Sequence, residues 1–180
     1  MKKINKSYGL LALVAGLIIL VDQVTKAFVR ANLPFGGSWS PFTGFAAFIR
    51  IVNWENTGAA FGMFQGGGLI FGVLAAVVAV VIIAYFPRIP QEYPVMRIAI
   101  AMQMGGAIGN LIDRVRFGPV TDFIAVGAFP VFNIADASIT VGVGILLLSM
   151  WIMERREKVK AAEANQLGQD HPETTYDGQL

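Results

Sequence analysis

Four apolar segments, each long enough to cross a lipid bilayer, constrain this chain more than any other feature of its sequence. A transmembrane helix needs about 20 mostly apolar residues to match a hydrocarbon core of about 30 Å. The segments lie at about residues 8–28, 67–86, 95–112 and 134–153. The chain is 55% hydrophobic and only 14% charged, whereas soluble domains carry about 25% charged residues. The sequence therefore predicts an all-α membrane protein with four transmembrane helices.

Basic residues near the ends of these spans predict the orientation of the chain. The N-terminal MKKINK and its apolar run imitate a secretory signal, but Asp22, Lys26 and Arg30 follow without a small-residue cleavage site. We therefore expect an uncleaved first span. Nine Lys and Arg residues lie on the side shared by both termini and five on the other. Since basic residues favour the cytoplasm, both termini should be cytoplasmic. Arg97, at the start of span three, should extend its charge to the interface.

The composition excludes several kinds of chemistry. The chain has no cysteine, so disulfides, thiol catalysis and thiolate metal sites are excluded. Its one histidine, His171, lies in a polar C-terminal segment, which leaves Ser–His–Asp chemistry without a plausible base. The net charge of +2 gives no sign of nucleic-acid binding. We expect no metal and no cofactor.

Several acids should meet at the outer ends of the spans. Asp22 ends span one, Asp113 follows span three, Asp136 begins span four, and Asp122 lies in the outer loop between the last two. Acids near hydrocarbon are costly, at about 2.5–3.5 kcal/mol each at a bilayer centre. Asp122 and Asp136 form the predicted working pair, because two close carboxyl groups share a proton and can act as base and acid. The alternative is that Asp136 and Asn133 only cap a helix and that Asp122 is a loop acid.

Other polar residues near these acids have two interpretations each. We expect Asn110 and Arg114 to face a substrate, and we expect Asp113 to have a structural role. Asn56 precedes small residues, and either a tight turn or a close approach to a substrate peptide explains it. Asp22 either pairs with Lys26 one turn later or supports the acid cluster, and we favour support.

The outer segment of about residues 31–66 is rich in aromatic residues and contains short β-prone runs. Aromatic side chains suit the headgroup layer, so this segment is predicted to form a small β-containing periplasmic platform. Residues 1–160 should form one membrane domain. Residues 161–180 are polar and are predicted to be a disordered tail.

Five sequence blocks, taken in order, resemble lipoprotein signal peptidase, the bacterial type II signal peptidase of aspartic peptidase family A8. They are DQVTK at 22–26, NTGAAF at 56–61, GGAIGNLIDR at 105–114, VTDF at 120–123 and FNIADAS at 132–138. One block alone would be weak, but five in the family's order are specific. The departures are Gly62, where a serine or another residue is often seen, and a longer polar tail.

This resemblance implies an aspartyl endopeptidase of the bacterial inner membrane. Such enzymes remove the signal peptide of a prolipoprotein just before a diacylglyceryl-modified cysteine. The implied catalytic residues are Asp122 and Asp136. The other matching polar positions are Asp22, Asn56, Asn110, Arg114 and Asn133.

The resemblance also implies how the site is arranged and what binds to it. The outer segment would form a β-cradle and a mobile extracellular helix, with the active site at the periplasmic interface. The implied partners are prolipoprotein signal peptides, membrane lipids and globomycin-type inhibitors, without a cofactor.

Three other functions compete with this interpretation. A transporter would place acids near the bilayer midplane, often with paired broken helices. A non-enzymatic assembly or anchoring protein would leave the clustered acids unexplained. A presenilin-like aspartyl protease would carry YD and GxGD motifs, which the sequence lacks.

Overall fold

The four predicted spans form four helices long and apolar enough to cross a membrane. The computed structural model describes residues 2–40, 48–58 and 64–170, with side chains described between 8 and 161. The helices are α1 (Lys2–Asn32), α2 (Gly68–Tyr85), α3 (Pro94–Arg116) and α4 (Ile134–Asp170). A short 3-10 helix (Phe86–Arg88) follows α2. The prediction of four transmembrane helices is confirmed.

Several helices extend beyond the apolar segments that predict them. The first and third continue to Asn32 and Arg116, so Asp113 and Arg114 lie within the last turns of α3. The fourth continues to Asp170, which differs from the disordered tail expected over 161–180. The sequence AAEANQL explains this difference, since Ala, Glu, Gln and Leu favour helix. Residues 171–180 lie outside the described part of the chain.

The strands β1 (Ser38–Trp39), β2 (Ile49–Asn56) and β3 (Val120–Val126) form an antiparallel sheet with β2 in the centre. In sequence, the first two strands lie between α1 and α2, and the third lies between α3 and α4. The first two strands confirm a β-containing segment within 31–66. Residues 41–47 and 59–63, including Gly62 and part of that platform, lie outside the described residues.

The strand β3 corrects the prediction that Asp122 lies in a loop. Its sequence VTDFIAV is buried along nearly its whole length. A strand buried on both faces lacks the alternation of apolar and polar residues that marks a half-buried strand. The sequence pattern therefore does not identify β3. The register pairs Asp122 with Trp54 and Val120 with Asn56, which brings the chain around Asn56 next to Asp122.

Glycines on α3 allow two other helices to approach it closely. A Cβ at Gly105 would lie 3.0 Å from the backbone of Ala15 on α1. A Cβ at Gly109 would lie 2.9 Å from Asp22 Oδ2, so this glycine makes room for a carboxylate. Small residues let helices meet in this way. The close approach of α1 to α3 is what brings the acids of the two helices together.

At the other end of α3, Arg97 is buried and does not extend to an interface as predicted. Its guanidinium donates to the carbonyl oxygen of Ile89 at 2.7 Å and lies 4.3 Å from the ring centroid of Phe86. Carbonyl oxygens at the turn after α2 provide partners for the charge, which the sequence pattern could not reveal.

The chain divides into two units, Met1–Leu146 and Leu147–Leu180, and every residue of the candidate site lies in the first.

Candidate active site

Asp122 and Asp136, predicted as the working pair, line one cavity of about 550 Å³. Asp122 comes from β3, and Asp136 comes from the first turn of α4. Asn56, Asn110 and Arg114 also line this cavity, together with apolar residues that include Phe129, Phe132 and Ile139. The arrangement places two acids, three polar side chains and an apolar wall around one space.

Asn133 joins the two acids. Its side-chain Nδ2 donates to Asp122 Oδ1 at 2.7 Å, and its backbone N–H donates to Asp136 Oδ2 at 3.3 Å. In return, the backbone N–H of Asp136 donates to Asn133 Oδ1 at 2.9 Å. This reciprocal pair is the N-terminal cap of α4 that the alternative interpretation expected. Asn133 therefore caps α4 and also connects Asp136 to Asp122.

Two further amides hold the outer oxygens of the acids. Asn56 Nδ2 donates to Asp122 Oδ2 at 3.0 Å, while Asn56 Oδ1 accepts from the backbone N–H of Gly58 at 2.9 Å. Asn110 Nδ2 donates to Asp136 Oδ1 at 2.7 Å. Each carboxyl oxygen thus accepts one bond from an amide. A carboxylate oxygen has two acceptor sites, so both acids keep capacity for a water or a substrate.

A buried lysine lies beneath this layer. Lys26 Nζ lies 2.8 Å from Asp22 Oδ2 and 3.2 Å from Asp113 Oδ2, and all three side chains are fully buried. The same ammonium donates to Asn110 Oδ1 at 2.9 Å, which orients Asn110 to donate toward Asp136. Unpaired charges are costly in a protein interior, and Lys26 finds three acceptors here.

The two acids that pair with Lys26 also reach the elements that carry the working pair. Asp22 Oδ1 accepts from the backbone N–H of Ala135 in α4 at 2.9 Å. Asp113 Oδ2 accepts from the backbone N–H of Thr121 in β3 at 3.0 Å. The lysine cluster, meaning Asp22, Lys26 and Asp113, therefore positions the backbone on which Asp122 and Asp136 are carried.

Sequence reasoning undervalued Lys26, which it considered only as a partner for Asp22. The signal was present, since Asp22 directly follows a long apolar run and Lys26 lies four residues later on the same helix. The sequence pattern did not reveal the second acid of the cluster, because Asp113 belongs to another helix. Gln23 and Arg30 were also missed, and each contacts Asp113, with Gln23 Nε2 donating at 3.1 Å.

Five of the seven predicted site residues line the cavity, namely Asn56, Asn110, Arg114, Asp122 and Asp136. Asn133 connects the acids, and Asp22 lies beneath them in the lysine cluster. Arg114 Nη2 donates to the carbonyl oxygen of Gly58 at 3.2 Å. Its Nε is buried and has no hydrogen-bond partner among the described residues.

The electrostatic surroundings of Asp122 favour its protonated form. Burial and, to a lesser degree, the neighbouring Asp136 carboxyl raise the pKa of Asp122 from 3.8 to about 7. Hydrogen bonds from Asn56 and Asn133 and the charge of Lys26 oppose this shift. Near neutral pH Asp122 is therefore partly protonated, because burial and a second carboxyl group both disfavour its charged form.

The fold defines the class of this protein as a multi-pass membrane protein in which two carboxyl groups line one cavity. A family model described as signal peptidase (SPase) II matches residues 14–152. The chain belongs to the signal peptidase II family, whose members are aspartic peptidases that remove signal peptides from prolipoproteins.

Individual relatives agree with this assignment. A lipoprotein signal peptidase from Moorella thermoacetica is 40% identical over 134 residues, which cover 74% of this chain and 87% of the relative. One from Dehalococcoides mccartyi is 47% identical over 137 residues, covering 72% and 82%. A solved bacterial membrane enzyme structure superposes with a TM-score of 0.74 at 33% identity and covers 79% of this chain and 88% of its own.

Replacing Lys26 by Met should destabilise the protein by about 3–5 kcal/mol, the cost of removing one partner from a buried ion pair. Asp22 would then remain buried without a cation, and Asp113 would keep only Arg30, at 3.8 Å. Thermal unfolding in detergent measures the effect. The matched control is Lys158→Met, which removes the exposed pair of Lys158 with Glu154 and should leave the unfolding temperature unchanged. Equal unfolding temperatures for the two variants would contradict a structural role for the lysine cluster.

Proposed function

We propose that this protein cuts the signal peptide of a diacylglyceryl-modified prolipoprotein just before the lipidated cysteine, by water attack that Asp122 and Asp136 activate. The observation that supports this proposal is the convergence of both acids on one cavity, tied together by Asn133. Family membership supports the substrate class.

We assign the base to Asp136 and the shared proton to Asp122. Asp136 lies in the first turn of α4, where the helix dipole and the cap favour an anion. The pKa of Asp122 is about 7, so about half of the molecules carry a proton on it at neutral pH. The Asp136 carboxylate takes a proton from water as the oxygen attacks the scissile carbonyl carbon, while Asp122 donates to the carbonyl oxygen.

Collapse of the tetrahedral species then breaks the C–N bond. The leaving amine of the cysteine takes up the proton that Asp136 acquired, and Asp122 recovers its own proton as the new carboxyl group forms. The proton count of the pair is thus restored after each cycle. Arg114 lies on the same cavity wall, and its Nε has no hydrogen-bond partner within the described part of the chain. It would bind a substrate carbonyl or a lipid headgroup phosphate.

The protein is proposed to lie in the bacterial inner membrane, with both termini cytoplasmic and the cavity at the periplasmic interface. The excess of basic residues on the side of the termini supports this orientation. Exposed aromatic side chains at the sheet also support it, because Phe35, Trp39 and Trp54 are each more than half exposed and suit a headgroup layer. Globomycin-type peptide mimics of the cleavage site would occupy the same cavity.

Asp122→Asn and Asp136→Asn should each lower cleavage of a diacylglyceryl prolipoprotein by about 100- to 10,000-fold, the usual contribution of acid–base catalysis. Cleavage in detergent or liposomes measures this, with thermal unfolding to verify that each variant is folded. Glu92→Gln, an exposed change in the turn before α3, serves as the control and should cleave normally. Turnover near the wild-type rate by a folded Asn variant would rule out the carboxyl pair.

The rate constant kcat/KM should fall above pH 7, approaching tenfold per pH unit, as the proton at Asp122 is lost. The hydrogen bond from Asn56 lowers the pKa of Asp122. Asn56→Ala should therefore move the alkaline limb of the profile to higher pH. A pH–rate profile of both proteins tests this assignment. A rate that rises through pH 7 to a plateau would mean that Asp122 acts in its ionised form.

Single introduced cysteines should report the orientation without background, since the chain has no cysteine. Ser38→Cys, at the exposed first strand, should react with a membrane-impermeant maleimide added to spheroplasts. Gln91→Cys, exposed in the turn between α2 and α3, should react only after the membrane is permeabilised. The reverse pattern would invert the proposed topology.

A further inference from the structure

The side chain of Arg30 contacts both β3 and the end of α3. Arg30 lies in the last turn of α1, and its Nη1 donates to Thr121 Oγ1 in β3 at 2.8 Å. The same nitrogen lies 3.8 Å from Asp113 Oδ1 on α3. The guanidinium carbon lies 4.4 Å from the ring centroid of Phe117, the residue that follows α3. Arg30 therefore connects three elements that surround the acids.

Thr121, the residue before Asp122 in β3, is held by three different parts of the fold. Its backbone N–H donates to Asp113 Oδ2 at 3.0 Å, and its carbonyl oxygen accepts from Asn133 Nδ2 at 3.4 Å. Its buried hydroxyl oxygen accepts from Arg30. The backbone that precedes Asp122 is therefore fixed from α3, from the start of α4 and from α1.

Arg30 acts from the side of β3 that is opposite the cavity. Successive side chains of a strand point to opposite faces, so the Thr121 hydroxyl and the Asp122 carboxyl lie on opposite faces of β3. Neither Arg30 nor Thr121 lines the cavity. Asn133 Nδ2 donates both to the Thr121 carbonyl oxygen and to Asp122 Oδ1, at 3.4 and 2.7 Å. A movement of Thr121 would therefore change the bond between Asn133 and Asp122.

We propose that Arg30 and Thr121 are positioning residues, which hold Asp122 against Asn133 through the hydrogen bond between guanidinium and hydroxyl. This inference rests on the proposed function and adds to it two residues outside the cavity. A hydrogen bond from an ionised donor is stronger than one between neutral groups. The aromatic ring and the carboxylate that contact Arg30 orient the guanidinium, so the hydroxyl meets a donor whose position is fixed.

The test compares Thr121→Val, which keeps the shape of the side chain without its hydroxyl, with Thr121→Ser, which keeps the hydroxyl. A misplacement of about 1 Å costs about 100-fold in rate, so a smaller movement of Asp122 should lower kcat by about tenfold in Thr121→Val. The KM should not change, because Thr121 does not line the cavity. Thr121→Ser should retain the wild-type kcat. Cleavage of a diacylglyceryl prolipoprotein is measured per folded molecule, with the folded fraction taken from size-exclusion chromatography.

The pH–rate profile separates positioning from a loss of folded protein, because the pH at which the rate falls does not depend on the amount of enzyme. The hydrogen bond from Asn133 lowers the pKa of Asp122. A longer bond in Thr121→Val should raise that pKa, so the alkaline limb should move to higher pH. Three charged residues act on Asp122 within the described part of the chain, namely Asp136 of α4, Lys26 of α1 and Arg114 of α3. The substitution changes none of them.

Arg30→Met removes the other partner of the same bond and should also lower kcat by about tenfold. Arg30 is 25% exposed, so this variant tests the bond even where the buried substitution prevents folding. The double variant should be no slower than Arg30→Met alone, since both changes break one bond. The control is Arg116→Met, which should cleave like wild type. Arg116 also lies over the Phe117 ring, at 5.1 Å, but makes no hydrogen bond or ion pair within the described residues.

A folded Thr121→Val variant with the wild-type kcat and pH profile would overturn the positioning role. Equal losses in Thr121→Val and Thr121→Ser, or in the two arginine variants, would also overturn it. These results leave cleavage by the wild-type protein intact, so the peptidase itself would stand. No cleavage by the wild-type protein would instead overturn the proposed function.

Discussion

The contact of one buried ammonium with two carboxylates underlies the whole site. Lys26 contacts both Asp22 and Asp113, and all three side chains are fully buried. Each acid also accepts a hydrogen bond from a backbone N–H of a different element, α4 or β3. Such buried groups contribute little net stability when complete and cost much when broken. Their effect is to fix geometry, since α1, α3, α4 and β3 must all be in place for the charges to be satisfied.

A chain of hydrogen bonds connects Lys26 to the two acids that line the cavity. The lysine holds Asn110, Asn110 holds Asp136, and Asn133 links Asp136 to Asp122. Polar chains of this kind gain strength in a low-dielectric interior, but only when every member has a partner. The acids that line the cavity are therefore held by uncharged amides, whereas the buried charge of Lys26 contacts Asp22 and Asp113.

The spans could be predicted because apolar length is a local signal, and five of the seven polar residues named from the sequence line one cavity. The sequence did not predict β3, whose burial on both faces removes the alternating pattern. It also missed the extent of the lysine cluster, which depends on a glycine. Only the absence of a side chain at Gly109 lets Asp22 approach α3, and such an approach depends on how two helices pack. The partners of buried Arg97 escaped prediction for the same reason.

The two roles of Asn133 make the start of α4 and the arrangement of the acids depend on each other. Its side chain caps the first turn of α4 and also donates to Asp122, so the position of Asp122 relative to Asp136 depends on that turn. A change that unwinds this turn would therefore also alter the distance between Asp122 and Asp136, even when neither acid is itself replaced.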